Sequence, residues 1–321
     1  MTNQEWLNRN VVGIGEAMIE FAPVGENVYR RAFAGDTLNT CWHIAQIVRD
    51  RARVGYFTKV GMDAFSAEFI DFVAASGLKS DAIVRDPTHS IGLYVISLTG
   101  AERSFTYWRD SSAARRLADD FDAVLAATSG VGLIHISGIT LAIIGESGRR
   151  NLLKALDAAR SKGSIVSYDP NARLRLWRDA AEMQHGLREA LAVTDIALPS
   201  FDDEAKLWGD CDPEDTVKRM SAAGVREVVV KNGQDAVALF NGGSLTRVQT
   251  PEVSNIRDTT GAGDSFNAGY LAGRLAGMAP LSACQLGQEM AGEIISHFGA
   301  LAPESSLERF RTRIRDHIEK S

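Results

Sequence analysis

Apolar and polar positions along this chain change period repeatedly. Short apolar runs at 11–15, 54–60, 131–137, 164–169, 196–199, 228–231 and 237–240 have the length of strands. Between several of them, at 38–48, 64–75 and 147–161, apolar residues recur every three or four positions, as on one face of a helix. Stretches 264–276 and 281–295 continue the helical period, and 307–318 adds a polar last helix. Strands joined through helices pair in parallel, because the crossover returns the chain to the same end of the sheet. The pattern therefore predicts an α/β fold, a mostly parallel sheet with helices on both faces.

Two segments keep the strand period without a helix between them, 18–33 and 83–109. In the second, Ile91, Leu93, Val95 and Ser97 alternate with Gly92, Tyr94, Ile96 and Leu98, and Phe105 and Tyr107 follow Glu102 and Arg103. These segments read as antiparallel hairpins standing off the main sheet, a small β lid over its edge. No fixed-period repeat and no low-complexity linker divides the chain, so residues 1–321 read as one domain.

Composition narrows the function classes. The net charge of −6 leaves no basic footprint for nucleic acid, and basic runs such as Arg49-Asp50-Arg51-Ala52-Arg53 are broken by acids. Cys41, Cys211 and Cys284 are odd in number and far apart, which excludes a disulfide framework or a CxxC zinc site and leaves buried or neutral thiols. The first ten residues are polar with no apolar signal core, and no apolar run reaches the ~18–20 residues that span a bilayer. The expectation is a cytoplasmic protein with no nucleic-acid or membrane partner.

The stretch Asp258-Thr259-Thr260-Gly261-Ala262-Gly263-Asp264 carries the most chemistry. Two glycines let an anion approach the backbone closely, and the helical period starting at Asp264 would put free N–H groups beside it. Read alone, this is either a capped glycine turn or a phosphate site with a carboxylate next to it. A Walker A loop and the protein-kinase motifs are absent, and Gly13-Ile14-Gly15 lacks the third glycine of a dinucleotide fingerprint because Met18 occupies it. The turn at 35–39, Gly35-Asp36-Thr37-Leu38-Asn39, opens a helix, and Asp169-Pro170-Asn171-Ala172-Arg173 leaves a strand at the end where open sheets place ligands.

Together these three turns resemble the PfkB, or ribokinase-like, carbohydrate kinase family, over most of the chain from Val12 to about Pro303. The resemblance implies a three-layer αβα core with a β lid, ATP as phosphoryl donor and Mg²⁺ as its helper. It implies that Asp264 is the catalytic base and that Gly261, Ala262 and Gly263 form the anion hole. Gly35, Asp36 and Asn39 would hold sugar hydroxyls, Tyr94 and Tyr107 would contact the sugar from the lid, and Arg173 would lie between sugar and nucleotide. Asn171, Lys231 and Gly233, with Gly261 and Gly263, would face the nucleotide. Glu204 would reach Mg²⁺ through water, although Phe201 stands where relatives carry an asparagine. Asp258 and Thr260 match a monovalent-cation (K⁺) loop of some relatives, and apolar lid strands would allow a homodimer.

Within the family, Gly15-Glu16-Ala17-Met18-Ile19-Glu20, Phe105-Thr106-Tyr107-Trp108-Arg109 and Leu198-Pro199-Ser200-Phe201 resemble the branch that phosphorylates 2-keto-3-deoxygluconate. That substrate carries a carboxylate, whose burial without a cation costs several kcal/mol, and Arg109 would supply a planar partner for it. A neutral-sugar kinase of the same family and a sugar-binding regulator without chemistry are the competing expectations. An intact Asp264 argues against the second.

Overall fold

The computed structural model describes residues 10–99 and 102–320. Residues 1–9, 100–101 and 321, parts of the expected 1–321 domain, lie outside the described residues, as does most of the N-terminal segment searched for a signal. Strand β1 (Val11–Ile14) leads into a hairpin of β2 (Met18–Gly25) and β3 (Val28–Ala34). Helix α1 (Asp36–Val48), β4 (Val54–Val60), α2 (Ala64–Ala75) and β5 (Ile83–Arg85) follow. A second hairpin, β6 (Gly92–Thr99) and β7 (Glu102–Trp108), precedes α3 (Phe121–Thr128). Next come β8 (Leu133–Ser137), α4 (Gly138–Ile143), α5 (Gly145–Arg160), β9 (Ile165–Asp169), α6 (Ala180–Leu191) and β10 (Ile196–Ala197). The chain continues through α7 (Phe201–Trp208), α8 (Pro213–Ala222), β11 (Glu227–Val230), β12 (Val237–Asn241) and β13 (Ser244–Val248). Helices α9 (Ala262–Leu275), α10 (Pro280–Ile294) and α11 (Glu308–Lys320) complete it.

The main sheet runs β13-β12-β11-β10-β9-β8-β1-β4-β5. Every pairing from β11 to β5 is parallel, and β12 and β13 add an antiparallel edge. Its central strands are buried on both faces, as the five buried residues of β8 show. On one face Val11 packs with Leu38, Phe69, Phe266, Met290 and Phe310, from α1, α2, α9, α10 and α11. On the other, Val12 and Ile14 pack with Val124, Leu141, Leu152, Met183 and Met220, from α3, α4, α5, α6 and α8. Successive β1 residues thus serve opposite cores, and the expected αβα layering follows from this period of two.

The second sheet, β3-β2-β6-β7, consists of two antiparallel hairpins joined by a parallel β2–β6 pairing, Met18 opposite Gly92. The strand expected to begin it at residue 83 lies elsewhere. Ile83–Arg85 pairs in parallel with Thr58, Lys59 and Val60 at the edge of the main sheet, so the small sheet starts at Gly92. Of the side chains used to read this hairpin, those of Leu98, Glu102 and Arg103 lie outside the description. Cys41 and Cys284 are buried, and burial pushes both thiols up to about 12, whereas Cys211 is exposed. Among the described residues, no helix is long and apolar enough to cross a membrane.

Candidate active site

The parallel strands deliver their C-terminal ends to one edge of the sheet, and the polar clusters converge there. Asp169 ends β9, Lys231 follows β11, and the small sheet leaves directly after β1. This is the edge at which open α/β sheets hold ligands.

Helix α9 is preceded by its N-cap residue Gly261, whose φ of 75° lies in the left-handed region, and a Cβ there would stand 2.9 Å from Ala300 Cα. Only glycine meets both demands. Ser265 N–H makes the first bond of the helix, to Gly261 O at 2.9 Å, while no acceptor is found among the described residues for the N–H groups of Gly263 and Asp264. A Cβ on Gly263 would be 3.5 Å from Lys231 Nζ, so an ammonium stands beside these free donors. Free N–H groups, a helix N-terminus and a lysine together make a cradle for phosphate oxygens.

Asp264, half-buried in the first turn of α9, accepts a hydrogen bond from Asn39 Nδ2 on Oδ2 at 2.8 Å. Thr40 Oγ1 sits 3.1 Å from Asp36 O and 3.2 Å from Asp264 O, which ties the start of α1 to the start of α9. Burial, reinforced by the neighbouring Asp36 and Asp169 carboxylates, pushes the Asp264 carboxyl up to about 8, against the pull of Asn39 and Lys231. A carboxylate this basic is suited to take a proton from an alcohol near neutral pH.

The turn at 35–39 is set by contact with its neighbours. Gly35 has extended backbone, but a Cβ there would fall 2.2 Å from Glu16 O. Asp36 Oδ1 accepts from Thr37 N–H at 2.8 Å, and Oδ2 accepts from Asn171 Nδ2 at 2.8 Å. Asn171, at φ 35°, donates its N–H to Asp169 Oδ1 at 3.1 Å. Asp169 Oδ2 accepts from Lys231 Nζ and from Asn267 Nδ2, each at 2.7 Å, and Lys231 also reaches Asn267 Oδ1 at 2.9 Å. Burial works against the ionised Asp169, but the Lys231 ammonium and these donors prevail and hold its carboxyl below the usual range. Asp36, Asn39, Asn171, Lys231 and Asp264 are thereby brought into one network. Asp169 and Asn267 belong to it too, although sequence reasoning assigned them no role; Asn267 lies one turn beyond Asp264 on the same face of α9.

Other expected residues stand apart. Arg173 donates to Asp203 Oδ2 at 2.9 Å and to its neighbour's carbonyl, Ala172 O, at 2.8 Å, within electrostatic reach of the network's Asp169 and Asp36 carboxylates. Gly233, at φ 56°, lies in the turn between β11 and β12 with nothing within 4 Å of where a Cβ would be. Asp258 accepts from Thr260 N–H at 2.9 Å and Gly299 N–H at 2.8 Å, bracing the loops around Gly261. Glu204, 1% exposed, accepts from Arg219 Nη2 at 2.8 Å on Oε2, while Oε1 has no partner among the described residues. Burial pushes its carboxyl up to about 7 despite Arg219. Phe201 packs against the apolar core on that face. No group of three metal-ligating side chains occurs among the described residues.

From the small sheet, Tyr94 donates its hydroxyl to Glu20, and its ring centroid is 5.5 Å from that of Tyr107. Two guanidinium groups approach the Tyr107 ring, Arg109 at 5.7 Å and Arg175 at 4.3 Å from its centroid. Arg109 is 5% exposed and ion-paired with Glu16, a burial the sequence did not suggest.

The sequence profile of the pfkB family carbohydrate kinases matches residues 8–307. A 2-dehydro-3-deoxygluconokinase of Dickeya dadantii is 39% identical over 306 residues, covering 93% of this chain and 98% of that protein. Among solved structures, a 2-dehydro-3-deoxygluconokinase of Thermotoga maritima superposes with a TM-score of 0.82 at 21% identity, covering 95% of this chain and 98% of the other. A protein described as ribokinase II of Escherichia coli, in complex with ATP and Mg²⁺, superposes with a TM-score of 0.82 at 23% identity over 98% and 100% of the two chains.

Proposed function

The chain belongs to the pfkB family of carbohydrate kinases, and from that premise we propose that it transfers the γ-phosphoryl group of ATP to the primary hydroxyl of 2-keto-3-deoxygluconate. The observation that carries the chemistry is the 2.8 Å bond from Asn39 to Asp264, which joins the sugar-holding turn to a carboxylate at a helix N-terminus. The sugar hydroxyl lies against Asp36 and Asn39, and Asp264 accepts its proton as its oxygen attacks the γ-phosphorus and the bond to the β–γ bridging oxygen breaks, releasing ADP. The free N–H groups of Gly263 and Asp264, with Lys231, stabilise negative charge that grows on the transferred group. They are held in place before the reaction, so little reorganisation is needed. The Asp169–Lys231–Asn267 contacts aim the ammonium at this site, and Asp169 stays ionised beside it.

Mg²⁺ bound with the nucleotide would neutralise charge on the phosphate oxygens. Glu204 Oε1, buried and without a partner among the described residues, fits a water held by that ion, and the Arg219 bond leaves one oxygen rather than two for the purpose. The small sheet acts as the lid: it brings Tyr94, Tyr107 and Arg109 to the sugar side and excludes water from the phosphoryl group. Its exposed Val24, Val28, Tyr29 and Trp108 support pairing of two lids in a homodimer, which light scattering on the eluting protein tests.

An ADP-release assay against sugar acids and neutral sugars tests the reading. Turnover of 2-keto-3-deoxygluconate at a kcat/KM far above that of fructose or ribose is expected. Preference for a neutral sugar would overturn the substrate, and absence of turnover with every acceptor would overturn the chemistry.

A further inference from the structure

Glu16 is buried between β1 and β2 and has no part in the phosphoryl transfer described above. Both of its carboxylate oxygens are engaged: Oε2 by Arg109 Nη2, and Oε1 by Ser112 Oγ at 2.5 Å. The pocket is shaped for it, since a Cβ on Gly92 would fall 2.9 Å from Oε1. Glu16 is therefore occupied and is not itself a ligand for a sugar. The arginine it grips is 5% exposed, yet its Nε–H finds no acceptor among the described residues. A buried donor left open in this way calls for an acceptor from elsewhere. The backbone carbonyl of Glu16 abuts Gly35, so the pair stands beside the turn that leads to Asn39 and Asp264.

Resting on the sugar-acid reading, we propose that Glu16, braced by Ser112, is a positioning residue for substrate specificity: it fixes the Arg109 guanidinium through Nη2 and leaves Nε–H for the substrate carboxylate. The arrangement answers two needs. An unpaired guanidinium could not stay buried under the lid in the absence of substrate, and Glu16 balances its charge. A guanidinium balanced by a mobile partner would rotate, and the planar match to a carboxylate would be lost. Glu20 holds the Tyr94 hydroxyl in a comparable way, so the Glu16–Glu20 segment presets two lid side chains.

Steady-state kinetics of Glu16→Gln and Ser112→Ala test this, with Arg109→Gln as reference. For Glu16→Gln, KM for 2-keto-3-deoxygluconate should rise by about tenfold or more while kcat and KM for ATP stay within about twofold. Ser112→Ala should move the same way by a smaller factor. Neither should change KM for the C1-alcohol analogue of the sugar, which has no carboxylate for Arg109 to meet. A loss of fold integrity would disturb all these constants together. If Arg109→Gln raises the sugar-acid KM and neither Glu16→Gln nor Ser112→Ala does, the positioning role is refuted. If Arg109→Gln leaves that KM unchanged, the sugar-acid reading itself fails. Should Glu16→Gln not fold, Ser112→Ala decides alone, since it removes one hydroxyl and leaves the ion pair.

Discussion

Replacing Asp264 with Asn should make this enzyme more stable while abolishing its turnover. Burial and the Asp36 and Asp169 carboxylates raise the folded-state value to about 8, from an ordinary 3.8. The unfolded chain therefore ionises this group far more readily than the folded one. Its linkage contribution is fully present below pH 3.8 and is lost as pH rises through about 8. At ~1.4 kcal/mol per unit the whole shift sets a ceiling of about 6 kcal/mol, and because the side chain borders solvent, about 1–3 kcal/mol is the expected loss. An amide at this position keeps an oxygen to accept from Asn39 and has no charge to bury. Asp264→Asn should then melt several degrees above the parent at pH 8, at about 2 °C per kcal/mol for a chain of this size. The gap should close as pH falls toward 4.5. Over the same series kcat should fall by about three orders of magnitude or more, as for loss of a general base together with the charge it accepts. Differential scanning fluorimetry across pH, paired with the ADP-release assay, reads both. A variant that melts below the parent at pH 8, or whose stability gain does not depend on pH, refutes the electrostatic reasoning. Near-normal turnover refutes the base.

Three further outcomes follow from the same geometry. For the parent enzyme at saturating ATP, kcat/KM for the sugar acid should rise with pH along a limb whose midpoint lies near 8 rather than in the usual carboxylate range, and a flat profile from pH 5 to 9 would contradict this. Gly35→Ala sets a Cβ 2.2 Å from Glu16 O, backbone against backbone, so a stability loss of about 1–3 kcal/mol and a raised sugar KM are expected by thermal melting and kinetics. Gly261→Ala must adopt a φ of 75°, at about 1–2 kcal/mol, and meets Ala300 as well. Its effect should fall on kcat and on KM for ATP more than on the sugar, and an unchanged ATP KM would remove the phosphate role of this helix end.

The layers were legible in the sequence because strand and helix periods are long-range averages that survive local exceptions. The reading of 54–60 and 64–75 agrees with β4 and α2 residue for residue. Ile83–Arg85 was misplaced because three β-branched or long residues carry no mark of which sheet they join; pairing partners decide that. Helices α6, α7 and α8 went unread for another reason. Their buried faces alternate with charged residues such as Asp202, Asp203 and Glu214, which obscure the apolar stripe. At the site, the glycine turns were visible because glycine marks a backbone demand on its own. The Asp169–Lys231–Asn267 contacts were not, since they join three segments far apart in the chain, and neither was the burial of Arg109, whose partner Glu16 looks like any strand-end acid.

The parallel β2–β6 pairing also bears on how the molecule assembles. Each hairpin of the small sheet closes locally, but the two meet only through strands separated by α1, β4, α2 and β5. Such a pairing has a high contact order, and its loop-closure entropy is overcome only once the intervening unit has already brought the ends together. The hairpins should therefore dock after the core has condensed, and during synthesis the β2–β3 hairpin emerges long before β6, the strand that β2 also pairs with. Amide exchange in refolding protein would show protection of Ile19 and Phe21 lagging that of Val12 and Ile134, so that phosphoryl-transfer competence appears as the last step of folding.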